Sequence, residues 1–237
     1  MVVVSASFTH ADWKLEVRHV FLETSWLFAV AAPSYQRTPA AIELLNLAKE
    51  GHIKIYVPAC CIQEAKHTIR TKFQPKEADR LGAFVRWAVE QSVLDDKTAE
   101  SARVMLSTFQ GRVTAELDCL KDTLRDITSA AGVEVLPLDD AMLKMSIDLQ
   151  FTEIKLDTFD RAILTAVLTK GRELRDGGAT DVFFCTRDSD LLPWEKKTGR
   201  PLDELKKLYD DAGVWVYSDF TLASPLRPGD SGQATGS

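Results

Sequence analysis

Val182–Leu191 reads VFFCTRDSDL: four apolar residues, then Thr186 and Arg187, then two acids one residue apart. A short apolar run cut off by polar residues is the pattern of a strand buried on both faces, as in a parallel sheet. In an open α/β sheet, ligands gather beyond the carboxyl ends of the strands. Asp188 and Asp190 therefore either occupy a solvated turn, where aspartate is common, or are carboxylates delivered to a reaction centre. Taken alone, the turn reading is the better one, so the flanking sequence has to decide.

Working outward, the residues on either side are helical. Helices are expected from about Thr158 to Arg175, ended by Gly177-Gly178, and over Leu202–Tyr209, with a fifth strand at Val214–Tyr217. Upstream, Val17–Leu22 is a β-rich run ending at Glu23, and Thr24-Ser25 can cap a following helix. Pro39 opens a helix that Gly51 stops, and Ile53–Val57 is a second strand closed by Pro58. A helix from about Ala59 to Thr71 follows it. Val133–Leu136 is a third strand, and Asp139 opens a helix through about Leu149. Strands alternating with helices predict a three-layer α/β/α fold around a central parallel sheet.

Residues 76–130 contain no proline and only Gly82 and Gly111, with Leu81, Phe84, Val85 and Ala88 and then Val113, Leu117, Leu120, Leu124 and Ile127 at helical spacing. This predicts a long helical insertion or cap of two helices. The expected organisation is an N-terminal segment over 1–16, one domain over 17–222 and a flexible tail over 223–237.

Composition bounds the function. With 45% hydrophobic and 27% charged residues, the chain can bury a substantial core. A formal charge of −6 argues against non-specific coating of nucleic acid, while leaving room for a local basic rim beside an acidic site. Cys60, Cys61, Cys119 and Cys185 form no CxxC pair, and His10, His19, His52 and His67 form no ligand pair. Zinc and a disulfide framework are thereby disfavoured, and a reducing cytoplasm is the expected compartment. Glu23 interrupts the apolar run Val20–Ala32, and no uninterrupted apolar stretch nears the ~20 residues a membrane helix needs. Neither a membrane span nor a targeting signal is expected.

Acids recur near the ends of the strands. Glu23 follows the first, Glu64 lies one to two turns into the helix after the second, Asp157 and Asp160 open the helix before the fourth, and Asp188 and Asp190 follow the fourth. Each has an ordinary reading as a cap, a turn residue or a solvated helix position. Their joint placement on one sheet edge is what favours chemistry. Gathered carboxylates repel one another and lose solvation, so a cation normally accompanies them, and all-oxygen ligands favour Mg²⁺ or Mn²⁺.

These fragments resemble the PIN-domain nucleases over most of residues 17–218. VFLETSWL resembles the strand that ends in the family's first acid, VPACCIQEAKH the helix bearing the second, DRAILTAV the helix opened by the third, and TRDSDL the strand end bearing the fourth. The resemblance implies a metal-dependent endoribonuclease in which Glu23, Glu64, Asp160 and Asp188 hold Mg²⁺ or Mn²⁺, with Asp190 or Asp157 acting through water. Thr24 and Thr186 would support those carboxylates, and Lys66, Arg70, Arg161 and Arg187 would contact single-stranded or structured RNA. A toxin paired with an antitoxin protein, an RNA-processing enzyme and a homodimer all fit such a family. The first acid of the family is normally aspartate, and the extra methylene of Glu23 moves its carboxylate by about one carbon–carbon bond. That departure keeps open a catalytically degenerate scaffold that binds RNA or a protein partner. A haloacid-dehalogenase-type phosphotransferase needs an early DxD, which LETSW does not supply.

Overall fold

A computed structural model of the chain describes residues 17–73 and 76–222; the N-terminal segment 1–16 and the tail 223–237 lie outside the described residues. Five strands alternate with helices: β1 (Arg18–Leu22), α1 (Thr24–Ala31), α2 (Pro39–Lys49), β2 (Ile53–Pro58), α3 (Ala59–Lys72), α4 (Lys76–Glu90), α5 (Asp96–Asp118), α6 (Leu120–Thr128), β3 (Val133–Leu136), α7 (Asp140–Leu149), α8 (Thr158–Asp176), β4 (Val182–Cys185), α9 (Asp203–Ala212) and β5 (Trp215–Tyr217). A 3-10 turn, Ser34–Gln36, joins α1 to α2.

The strands are all parallel, in the order β3-β2-β1-β4-β5. Right-handed crossovers then put α1 to α6 on one face and α7 to α9 on the other. The packing agrees in the main: α1 meets α2, α3 and α6, whereas α8 meets chiefly α7 and α9, with a smaller contact to α3. This is the three-layer α/β/α arrangement expected from the strand and helix pattern. Burial on both faces explains why the central strands read as unbroken apolar runs: Val20, Phe21 and Leu22 in β1 and Val182, Phe184 and Cys185 in β4 have no exposed surface. The Trp26 indole donates to the Ala41 carbonyl at 3.0 Å, tying α1 to α2 inside the core. Tyr209 of α9 donates to the Leu191 carbonyl at 2.9 Å, anchoring the loop that leaves β4. Gly51 ends the turn after α2 at φ +81°, a conformation that favours glycine.

The insertion differs from expectation. Three helices occupy residues 76–130, not two. The break between α5 and α6 falls at Cys119, whose φ −80° and ψ −5° remain close to helical. The apolar spacing from Val113 to Ile127 therefore runs through it unaltered, and periodicity alone cannot reveal it. The expected apolar stripe of α4 also divides. Val85 and Ala88 face inward with Ala78 and Ala99, while Leu81 and Phe84 are more than half exposed, at 53% and 57%. That small interior lies apart from the main core, which takes in Val113, Leu120, Leu124 and Ile127.

Candidate functional site

The strand order reverses between β1 and β4, so the crevice at their carboxyl ends is the topological switch point of the sheet. Leu22 pairs with Cys185, which makes the next residues, Glu23 and Thr186, neighbours across that crevice. Glu23 has extended torsions (φ −117°, ψ −167°) and is itself the cap of α1, the position expected for Thr24-Ser25. Its carboxylate accepts from the Ser25 amide at 2.5 Å, from the Ser25 hydroxyl, from Thr186 Oγ1 at 3.2 Å and from the Arg187 amide at 3.4 Å. The side chain is 3% exposed. Burial pushes its pKa up, and the bonds from Ser25, Arg187 and Thr186 only partly offset that shift.

The TRDSD turn is shaped by its own side chains. Thr186 Oγ1 accepts from the Asp188 amide at 3.0 Å while donating to Glu23, and Asp188 Oδ1 accepts from the Asp190 amide at 2.9 Å. Glu64 comes from α3 and accepts from the Thr24 hydroxyl. Asp157 caps α8, accepting from the Asp160 amide at 2.9 Å, and so presents Asp160 in the first helical turn.

Glu23, Glu64, Asp160 and Asp188, from four separate segments, line one cavity of about 490 Å³. Asp190 lines a second cavity, and Asp157 lines neither. Asp160 is pushed up to about 7, first by burial and then by Asp188, Asp157, Asp190 and Glu64. The cations expected to contact substrate separate in space. Arg187 lines the acid cavity, its guanidinium 4.6 Å from the Phe220 ring centroid. Arg161 instead donates to the Leu156 carbonyl at 2.7 Å and to Thr158 at 3.3 Å, bracing the start of α8. Lys66 and Arg70 do not line the cavity, whereas Thr68 and Lys72 do. Glu64, Thr68 and Lys72 recur every fourth residue and share one helix face. That spacing was legible in the sequence and points to Lys72 over Lys66 or Arg70. Ser25, Gln36 and Thr38 also line the cavity. Gln36 and Thr38 carry no such signal, because the α1–α2 connection reaches the site only through the tertiary fold.

The donor chemistry suits a hard divalent cation: every acid offers oxygen, and Asp160 is shifted up first by burial and then by neighbouring carboxylates whose repulsion a cation would relieve. Glu23 is the most heavily hydrogen-bonded of the four, accepting from Ser25, Thr186 and Arg187, which leaves more oxygen lone pairs open to a cation on Glu64, Asp160 and Asp188. As they stand these carboxylates share a cavity without forming a closed ligand set: among the described residues, no three His, Cys, Asp or Glu side chains are gathered closely enough to hold a metal ion, so a cation would have to draw them together. No family model, curated protein or solved structure matches the chain.

Proposed function

We propose that this chain hydrolyses phosphodiester bonds in RNA with Mg²⁺ or Mn²⁺ held by Glu64, Asp160 and Asp188. One observation carries the reading: four carboxylates from segments far apart in sequence line a single cavity at the switch point of the sheet. A bound cation would acidify water and neutralise charge on the phosphate. The protein's part is positional. Thr24 orients Glu64, Asp157 sets the first turn that presents Asp160, and Thr186 links Asp188 to Glu23 across the β1–β4 crevice. Lys72 and Arg187 lie on the same cavity and would draw a phosphate toward the acids. Glu23 then serves as a buried strut.

A binding scaffold without catalysis is the second reading, favoured by the saturation of Glu23 with hydrogen bonds and the absence of three gathered ligands among the described residues. Incubating the purified protein with single-stranded RNA in Mn²⁺ or in EDTA separates the two. Nuclease action predicts cleavage that needs Mn²⁺ and falls at least ~100-fold in Asp160→Asn. Cleavage that survives both EDTA and that substitution would exclude the metal mechanism, and RNA binding without any cleavage would establish the scaffold.

A further inference from the structure

A second cavity, of about 820 Å³, opens at Ser189–Asp190, immediately beyond Asp188 on the same turn. One wall is the segment before α8, with Ile154 and Leu156; the other is the β4–α9 connection, with Trp194, and the start of α9, with Leu205. Leu156 and Leu205 are buried, and Trp194 is half-buried. Trp194 is held in place. It pairs antiparallel with Pro201, the Glu195 amide donates to the Arg200 carbonyl at 2.8 Å, and the Leu202 amide donates to the Pro193 carbonyl at 3.0 Å. Residues 193–202 thus form a closed hairpin that carries Lys196 and Lys197.

A mainly apolar cavity of this size, with an indole in its wall and a few polar groups, has the character of a small-molecule site. The ligand chemistry follows from the rim. Lys155, Lys196 and Lys197 could meet a sugar–phosphate backbone, but Glu153, Glu195, Asp190, Asp203 and Glu204 outnumber them. Such a rim disfavours a bare polyphosphate. It suits a flat group with an apolar face and amino groups on its edge, for which carboxylates are acceptors. A nucleobase has those properties, and an unstacked one is available only in a single strand.

We infer that this cavity receives an unstacked base of a single-stranded RNA, stacked on Trp194, whose backbone runs past the adjoining acid cavity. The inference rests on the nuclease reading for the identity of the strand. Its test is equilibrium binding of a fluorescein-labelled RNA octamer to the full chain in EDTA, where metal-dependent cleavage cannot occur. Trp194→Ala weakens binding at least ~10-fold, the range expected for losing one base–aromatic stack, and Trp194→Phe restores most of it. The exposed pair Lys196→Ala/Lys197→Ala weakens binding with a shallower salt dependence and without loss of fold. A strand carrying 5-iodouridine photo-crosslinks the wild type within 193–202. Duplex RNA binds Trp194→Ala and wild type alike. Affinity for the single strand within twofold of wild type in Trp194→Ala, with no crosslink at 193–202, would overturn the subsite and leave the groove to a protein segment. If wild type then still cleaves RNA in Mn²⁺, the nuclease reading stands alone. Trp194-dependent binding with no cleavage sinks the nuclease reading and keeps the subsite.

Discussion

Asp160 is where the cost of assembling the site is concentrated, with its pKa raised from 3.8 to about 7 by burial and neighbouring carboxylates. Because the folded chain holds this proton more tightly than the unfolded chain does, the associated stability is complete below about 3.8 and is lost as pH rises through about 7. A shift of that size corresponds to about 4 kcal/mol, and solvent screening at this half-exposed position reduces it to about 1–2. Asp160→Asn should therefore stabilise the protein by about that amount at pH 8 and flatten its pH dependence between about 4 and 7, as read by urea denaturation. On the metal reading, Mn²⁺ raises the Tm of wild type by mass action and fails to do so in this variant. Glu23 behaves differently, because its carboxylate is buried and already satisfied. Removing the acceptor strands the Ser25 and Thr186 donors and uncaps α1, so Glu23→Ala should cost about 2–3 kcal/mol in the same denaturation experiment, whether or not Mn²⁺ is present.

Among the elements, α8 shows how one helix start serves two ends. Asp157 caps it and Asp160 faces the cavity three residues later. If Asp157 acts mainly as a cap, Asp157→Ala lowers stability by about 1 kcal/mol and Asp157→Ser recovers it, with calorimetric Mn²⁺ affinity nearly unchanged in both. A large loss of Mn²⁺ affinity in Asp157→Ser would instead restore its role as a ligand through water. On α3, the face that carries Glu64 also carries Lys72, whose ammonium lies 4.6 Å from the Phe28 ring centroid. On the RNA reading, Lys72→Ala should weaken RNA binding several-fold and reduce its salt slope, while Arg70→Ala stays within twofold. The elements themselves were largely legible. Parallel strands buried on both faces give unbroken apolar runs, and Asp139 and Gly51 mark helix ends through their own hydrogen bonding and torsions. The break at Cys119 was not legible, since its backbone stays near-helical and shifts no periodicity.

At the scale of the molecule, the α4–α5 hairpin has a small interior of Ala78, Val85, Ala88 and Ala99, whereas β1, β4 and α8 sit in the main core. α5 is fastened near its C-terminal end, where Glu116 accepts from the Ser34 amide at 2.6 Å and Val113 joins the core. Little apolar area resists opening of α4, so its amides should exchange through local unfolding well below the free energy of global unfolding, while those of β1 and α8 exchange only globally. Hydrogen–deuterium exchange with peptide resolution reads this directly, and equal protection in α4 and α8 would show one cooperative unit. No helix among the described residues is long and apolar enough to cross a membrane.

The order of the strands, the helices between them apart from the break at Cys119, their approximate bounds and the candidate acids are properties of the sequence by itself. Each is written in a local signal: apolar runs for buried strands, 3.6-residue spacing for helix faces, and caps or glycines at helix ends. Only the tertiary structure decided which acids meet. Residues 23, 64, 160 and 188 share no local signal, and they converge because the order β3-β2-β1-β4-β5 places the ends of β1 and β4 side by side. The same convergence sends Asp188 and Asp190, which local turn chemistry alone does not separate, to different cavities. It also gives Glu23 its partners Thr186 and Arg187 from the far end of the chain, so that the acid at the end of β1 is buried and hydrogen-bonded. Local signals reach as far as hydrogen bonding and side-chain periodicity along one element; the meeting of distant elements depends on how the whole core packs.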